Sequence, residues 1–426
     1  AEYLIGESQR TSRRNPAKKF FYDGTADPAF IRAWLQFIHN ADEAYAERVL
    51  GQPTAGYGLW PEIPQKLDIE VLPGEQSNTS VKILGDQEPL LLKFFRRLRP
   101  GQNQDVNHGI ALDAARSTVV ATTYGTITAS WAPDATEHQE PVPVHIRKPV
   151  ALDYGFDRTQ PAQETELFDL VEHFAGEDLQ LVTGQLCVLR QYFPDAVDAW
   201  QLASLAAVRG HSFTVEAEEI GATLARLHKD LAVALGAQAA DSDDRSTYIN
   251  DLIGRLRWGY VNAKEIIGDH DAAFNALIDE LEAFGDDGEL SPLQTIHSDL
   301  HLGQVIRSDG HDWKVIDFKG EPLRQSNGST KDVIERDLAG MLRSFDYAAA
   351  LAHRVYFADQ GSEQPALTQA GAAQWAKTCG AEFLKGYGNA AGKDFEGFED
   401  SLIGHALLLD KALYEVAYEL THRQDW

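Results

Sequence analysis

The stretch that decides the fold is Ile296-His297-Ser298-Asp299-Leu300-His301-Leu302-Gly303-Gln304, followed by Asp317-Phe318-Lys319-Gly320-Glu321-Pro322. Asp299 with Gln304 five residues on, and then a second aspartate beside Phe318, form a donor set suited to moving a phosphoryl group. One carboxylate can orient a hydroxyl, while an amide and a second carboxylate hold magnesium against phosphates. The intervening Val305-Ile306-Arg307, a Ser308-Asp309-Gly310 turn and Lys314-Val315-Ile316 predict a β-hairpin. Folding it back carries Asp299 and Asp317 toward one site. Asp299 is thus the candidate base, and Gln304 and Asp317 are the candidate metal ligands. Either aspartate alone reads equally well as a turn residue; the joint pattern points to chemistry.

A rival from another class shares these residues. His297, Asp299 and His301, with His311 as a further ligand, spell a cluster that could hold zinc. The spacing of the two motifs favours phosphoryl transfer.

Upstream, Leu67-Asp68-Ile69-Glu70-Val71 and Ser80-Val81-Lys82-Ile83-Leu84 alternate as strands, and Gly85-Asp86 turns into the apolar Leu90–Phe95. Lys93 in the middle of that run is costly to bury unless an anion meets it, which makes it the candidate for the α- and β-phosphates of ATP. An edge-strand lysine that snorkels to water is the bland alternative. The preceding Gln76, Ser77, Asn78, Thr79 and Ser80 lie where a phosphate loop belongs, without its usual glycines. A helix is expected over Val106–Ser117 and a strand over Val119–Ile127. Gln185–Tyr192 reads as the last strand and hinge, with Gln191 there as a nucleotide contact.

The chain then turns helical, over Val215–Gly236, Ala272–Phe284, Ala366–Tyr387 and Glu399–Leu420. The expectation is an α+β, two-lobed, eukaryotic-protein-kinase-like fold: a cap subdomain at 1–66, a β-rich N-lobe at 67–192 and a mostly helical C-lobe at 193–426. In the cap, Asp27 and Pro28 start a packing helix. Proline-rich residues 132–165 read as an inserted loop. In the C-lobe, Arg343 pairs in this reading with Asp337 or Asp346. Asp410-Lys411, Tyr414-Glu415 and Tyr418-Glu419 recur at helical spacing, as a face lining a sugar pocket or as a solvated face of ion pairs.

Bulk composition agrees with this reading. A chain of 426 residues with 43% hydrophobic and 24% charged residues is expected to form more than one core. A formal charge of −27 argues against nucleic acid as a partner. No run approaches the ~18 apolar residues of a membrane span, and no signal peptide is visible, so a cytoplasmic protein is expected. The chain opens at Ala1 rather than Met, and its start reads as partial. Cys187 and Cys379 suggest no disulfide framework.

These motifs, together with Leu92-Lys93-Phe94-Phe95-Arg96-Arg97, Arg336-Asp337-Leu338-Ala339-Gly340 and Asp410-Lys411-Ala412-Leu413-Tyr414-Glu415, resemble the actinobacterial maltokinases. Those belong with the aminoglycoside-phosphotransferase and choline-kinase-like enzymes, and closely related glucosamine kinases share the framework. The resemblance runs from about residue 70 to the end. It implies ATP and Mg²⁺ as cofactors and a sugar as substrate. The reaction it implies is phosphorylation of maltose at its anomeric hydroxyl, or of glucosamine at its 6-hydroxyl. His301, Lys319, Glu321, Arg343, Tyr414 and Glu415 are the implied sugar contacts.

The chain departs from the family in three places. Asn107 stands where an acid usually pairs with the phosphate lysine, which leaves Asp105 as the substitute and raises the alternative of an inactive nucleotide- or sugar-binding pseudokinase. Ser298 replaces a common glycine, and Lys319 replaces an acid. A cation at Lys319 would disfavour the ammonium of glucosamine.

Overall fold

The computed structural model describes residues 4–9, 18–45, 48–54, 60–73, 78–85, 88–101, 103–132, 142–143, 180–308, 312–318, 331–358 and 368–422. They fall into two compact units, Ala1–Arg116 with Ala121–Pro194, and Ser117–Val120 with Asp195–Trp426. The architecture is the expected α+β, two-lobed kinase-like fold. No described helix is long and apolar enough to cross a membrane.

The first unit begins with an antiparallel pair, β1 (Leu4–Gln9) and β2 (Lys18–Tyr22). There follow α1 (Pro28–His39), β3 (Glu43–Ala44), β4 (Val49–Pro53), β5 (Asp68–Val71), β6 (Asn78–Leu84) and β7 (Leu90–Phe95). The unit closes with α2 (Gln104–Ala114), β8 (Thr123–Trp131), β9 (Val142–Pro143) and β10 (Gln180–Gln191). The main sheet runs β3-β4-β8-β10-β7-β6-β5, with β9 on β10.

Asp27 caps α1 by accepting from the Ala29 N–H at 2.8 Å, with Pro28 behind it as the sequence indicates. Its stripe of Ile31, Leu35 and Ile38 is fully buried against Val81, Ile83, Leu92 and Phe94 of the sheet. The segment read as a cap therefore supplies α1 and β4 to the sheet and core of the first unit. β4 pairs along β8, satisfying backbone groups that would otherwise form an open edge. Val106 of α2 packs on the opposite face with Val188 and Phe95. α2 starts two residues earlier than the apolar pattern suggests, because Asn103 accepts from the Asp105 N–H at 3.0 Å and caps it.

The second unit holds β11 (Val197–Asp198), α3 (Ala199–Val208), α4 (Thr214–Leu235), β12 (Ala237–Gln238), α5 (Ser242–Ile267) and α6 (Asp271–Asp287). After these come β13 (Leu293–Thr295), β14 (Val305–Arg307), β15 (Lys314–Val315), β16 (Lys331–Asp332), α7 (Glu335–Ala358), α8 (Gln369–Ala391) and α9 (Leu402–His422). Two small sheets, β11-β14-β15 and β12-β13-β16, sit among these helices. Part of the strand expected over Val119–Ile127 belongs here instead: the Val315 N–H donates to the Val119 carbonyl at 2.8 Å.

α5 has no counterpart in the sequence reading, since charge is spread along it. A capping box between Asp241 and Asp244 starts it. Ile249, Leu252, Leu256 and Tyr260 then recur every three or four residues on its buried side.

Asp410, read as part of a sugar-lining or solvated face, does neither. Its Oδ2 accepts from Arg336 Nη1 at 2.8 Å and Arg255 Nε at 3.0 Å, while Arg336 Nε donates to Asp332 at 2.7 Å. Arg336, Asp332 and Asp410 are all nearly buried. Removing one member of such a set strands the others in low dielectric. Asp410→Ala is therefore expected to lower unfolding stability by about 3–5 kcal/mol, read as a lower urea midpoint.

Candidate active site

The candidate base and metal ligands of the second unit gather at the ends of the β14–β15 hairpin. Val305 pairs with Val315 and Ile306 with Lys314, and the Ile316 N–H donates to the Gln304 carbonyl at 2.9 Å. Gln304 thus lies across from the residue before Asp317. His297 is tied to the same end: its Nε2 meets the Ile316 carbonyl at 2.9 Å, and its ring centroid is 4.9 Å from that of Phe318. Asp299 and Asp317 both act electrostatically on His301. Burial lowers the His301 pKa, the two carboxylates oppose that, and Lys411 and His297 reinforce it. Ser298 and Asp317 each hold a left-handed φ of 67°, a conformation that favours glycine.

The geometry fixes the state of His301. The Gly303 N–H donates to Nδ1 at 3.1 Å, so the neutral ring carries its proton on Nε2. Gln304 Nε2 lies 3.3 Å from that Nε2; two donors do not bond, so we assign the amide the flipped orientation, with Oε1 toward the ring N–H. The amide oxygen is thereby oriented and keeps a second lone pair for a cation. One carboxylate and one amide oxygen suit a hard ion such as Mg²⁺. His297 spends its Nε2 on Ile316, and among the described residues no group of three or more His, Cys, Asp or Glu could hold a metal. His311, the extra ligand of the zinc reading, lies outside the described residues.

One face of α7 grips this loop. Asp337 accepts from the N–H of His297 at 2.7 Å and of Ser298 at 2.8 Å, and Ser344 Oγ accepts from the Leu302 N–H at 3.0 Å. Gly340, between them on the same face, approaches so closely that a Cβ there would sit 2.6 Å from the Leu300 carbonyl. Residues 337, 340 and 344 share a face at helical spacing. Of the two acids expected for Arg343, Asp337 is therefore not its partner, because that carboxylate is taken by loop backbone.

Arg343 pairs with the other expected acid, Asp346, at 2.8 Å, and also with Glu415 at 2.9 Å. Burial raises the Glu415 pKa against the pull of Arg343. Two implied sugar contacts thus hold each other. Tyr414 stacks near Tyr418 with centroids 6.2 Å apart, and the Lys411 ammonium lies 5.1 Å from the Tyr414 ring centroid. The same ammonium is 3.5 Å from Asp299 Oδ1, which joins this face of α9 to the candidate base.

In the first unit, Lys93 alternates away from the buried Leu92 and Phe94, and Ser80 is its cross-strand partner on β6. Asp105, 1% exposed, accepts from Arg190 Nη1 at 2.8 Å, and its other oxygen is 3.7 Å from Lys93 Nζ. The acid opposite the lysine is thus Asp105, while Asn107 accepts from Gln185 at 3.3 Å. Asn78 and Thr79, read as loop, join Ser80 in β6; Thr79 Oγ1 accepts from Arg96 at 2.7 Å. The Gln191 carboxamide donates to Glu88, and its oxygen faces the Thr122 N–H at 3.5 Å. Gln76, Ser77, Lys319 and Glu321 lie outside the described residues.

No protein-family model matches the chain. It is 25% identical over 244 residues to a glucosamine kinase of Streptacidiphilus jiangxiensis, covering 55% of this chain and 53% of that protein. A glucosamine kinase of Mycolicibacterium smegmatis is 30% identical over 175 residues, covering 38% of this chain and 42% of the relative. The matched region thus spans about half the length of these relatives. A solved glucosamine kinase in complex with glucosamine, ADP and inorganic phosphate superposes with a TM-score of 0.55 at 21% identity, over 84% of this chain and 79% of that one.

The chain is similar to glucosamine kinases in sequence and shares their fold. This agrees with the aminoglycoside-phosphotransferase and choline-kinase-like resemblance at the level of the group, and it leaves the acceptor sugar to the site.

The sequence reading left three positions without their structural roles. Lys411 and Gly340 stand inside quoted motifs, but only tertiary contact shows what they touch. Asp337 was legible as a helix charge, and its partners were not. If Gly340 sets the approach of α7 to the loop, Gly340→Ala is expected to cut turnover roughly 10-fold or more by displacing the loop, despite a helix-propensity gain of about 1 kcal/mol. Steady-state kinetics beside a thermal melt checks this.

Proposed function

We propose that this chain is a magnesium- and ATP-dependent sugar kinase. The observation that carries the reading is the gathering of Asp299, Gln304 and Asp317 around one hairpin, with His301 orienting the amide. Asp299 would accept a hydrogen bond from the sugar hydroxyl and aim its oxygen at the γ-phosphorus, as positioning catalysis requires. Asp317 and Gln304 would hold the magnesium ion, which when bound offsets charge on the β- and γ-phosphates. Lys93, kept in place by Asp105, would meet the α- and β-phosphates. That contact supports an active kinase over a pseudokinase, since an acid stands opposite the lysine.

Glucosamine is the first acceptor in this proposal, ahead of maltose, because the relatives at 25% and 30% identity are glucosamine kinases. A specific observation keeps a neutral sugar as the second reading. Lys411 places a cation beside the base, and two like charges ~6 Å apart cost roughly 2–3 kcal/mol at an effective dielectric near 20.

The test is ADP release from Mg·ATP with glucosamine, maltose, glucose and an aminoglycoside. Turnover above the no-sugar rate is expected with glucosamine, and silence across the panel would overturn the proposal. Asp299→Asn is expected to lower kcat by roughly 10²–10⁴-fold. Asp317→Asn, which tolerates the left-handed backbone, should remove activity while keeping the fold by circular dichroism. Lys411→Met is expected to raise kcat/KM for glucosamine relative to maltose by roughly tenfold or more if the ammonium binds within ~6 Å; an unchanged ratio would place the amino group elsewhere.

A further inference from the structure

Lys93 does not have Asp105 to itself. The carboxylate stands in the first turn of α2 and faces two cations, Arg190 of β10 at 2.8 Å and Lys93 of β7 at 3.7 Å. Arg190 has the closer grip. Its Nη1 donates to Asp105 Oδ1, and its Nη2 donates to the backbone carbonyl of the same residue. The Lys93 contact, to Oδ2, is longer than a hydrogen bond.

Strand register brings the two cations together. Lys93 pairs with Val188 and Leu91 with Arg190, and residues two apart on a strand share a face. Arg190 is therefore the diagonal neighbour of Lys93, on the face where Val188 packs against Val106 of α2. Gly109, one turn beyond Asp105, makes room for the guanidinium. A Cβ there would lie 2.9 Å from Arg190 Nη2 and 2.6 Å from Thr123 Oγ1. Gln185 of β10 holds the same turn of α2, accepting from the Asn103 N–H at 2.6 Å and donating to Asn107 at 3.3 Å.

The consequence is one of charge. A lysine with an acid of its own forms a neutral pair. Here one carboxylate, 1% exposed, serves two cations, so the group keeps one positive charge in excess. A planar, weakly hydrated guanidinium is the stronger partner for a buried carboxylate, and it leaves the ammonium the looser contact.

We propose that Arg190 is a positioning residue for the nucleotide, acting through Asp105. By taking Oδ1 and the carbonyl it keeps the carboxylate from closing on Lys93, whose charge stays available to a phosphate. Without the guanidinium, Asp105 would close on the ammonium and offset the charge that the α- and β-phosphates meet. That role depends on the nucleotide contact proposed above for Lys93.

The experiment titrates full-length wild type, Arg190→Met, Arg190→Lys and the double variant Arg190→Met with Asp105→Asn against Mg·ADP by calorimetry, beside thermal melts. Methionine keeps an apolar stem, and lysine restores the cation without the fork. Arg190→Met is expected to weaken Mg·ADP binding roughly tenfold, and Arg190→Lys to recover to within about threefold of wild type. The double variant should also recover to within about threefold, because it removes the buried pair together and strands no carboxylate against Lys93. With the sugar chosen by the acceptor panel, the loss in Arg190→Met should appear in KM for ATP, with KM for the sugar within about twofold of wild type.

Wild-type affinity in Arg190→Met would overturn the proposal. So would a double variant that binds tenfold or more weakly than wild type, since a guanidinium that touches nucleotide directly or merely packs α2 is not rescued by losing its acid. Should Arg190→Met fail to fold, Arg190→Lys and the double variant carry the test. A wild-type protein that binds no Mg·ADP would remove the nucleotide role of Lys93 itself, and this role of Arg190 with it; binding by wild type with equal binding by Arg190→Met would remove the role of Arg190 alone.

Discussion

Two backbone N–H groups, those of His297 and Ser298, need acceptors at a point where no strand or helix supplies them, and the Asp337 carboxylate meets both. Ser298 is held there in a left-handed conformation that a free loop would avoid. The constraint spreads outward from this grip. It sets the direction in which Asp299 leaves the loop and requires Gly340 to bring α7 close. It also leaves the hairpin free to carry Gln304 and Asp317 to the same place. A site that works by orientation needs such an anchor, because a small displacement of the base costs far more in rate than in stability.

The same economy governs charge. The chain is strongly acidic overall, yet its informative cations are partly or wholly buried and each meets a carboxylate: Lys93 and Arg190 at Asp105, Arg336 at Asp332 and Asp410, and Arg343 at Glu415. Such pairs contribute little net stability, because desolvation offsets most of their attraction, but they allow few alternative arrangements. Arg343 and Glu415 show the consequence for function. Both were read as sugar contacts, and their engagement with each other leaves Lys411 as the charge that touches the base. Under the proposed function, that cation on the last helix bears on which acceptor the site takes.

Local pattern carried much of this protein. The spacing of Asp299, Gln304 and Asp317, the hairpin they flank and the capped α1 could be read directly, because strands alternate, helices repeat and caps use particular residues. Misreadings occurred where a distant partner overrode local preference. Asn78 and Thr79 look like polar loop but pair with β7. α5 looks too charged for a buried helix, yet packs on an apolar side that its composition hides. Asp410 sits in an apparent surface repeat but balances two arginines from other helices.

The sequence by itself determined the two-lobed class, the identity of the candidate base and metal ligands, and the hairpin that unites them, since each depends on residues near one another in the chain. Only the tertiary structure decided that Asp105 lies against Lys93, that Asp337 and Gly340 hold the loop, and that Lys411 reaches Asp299. Those contacts join positions from 12 to 112 residues apart, and a charge or a glycine carries no local mark of the partner it will meet.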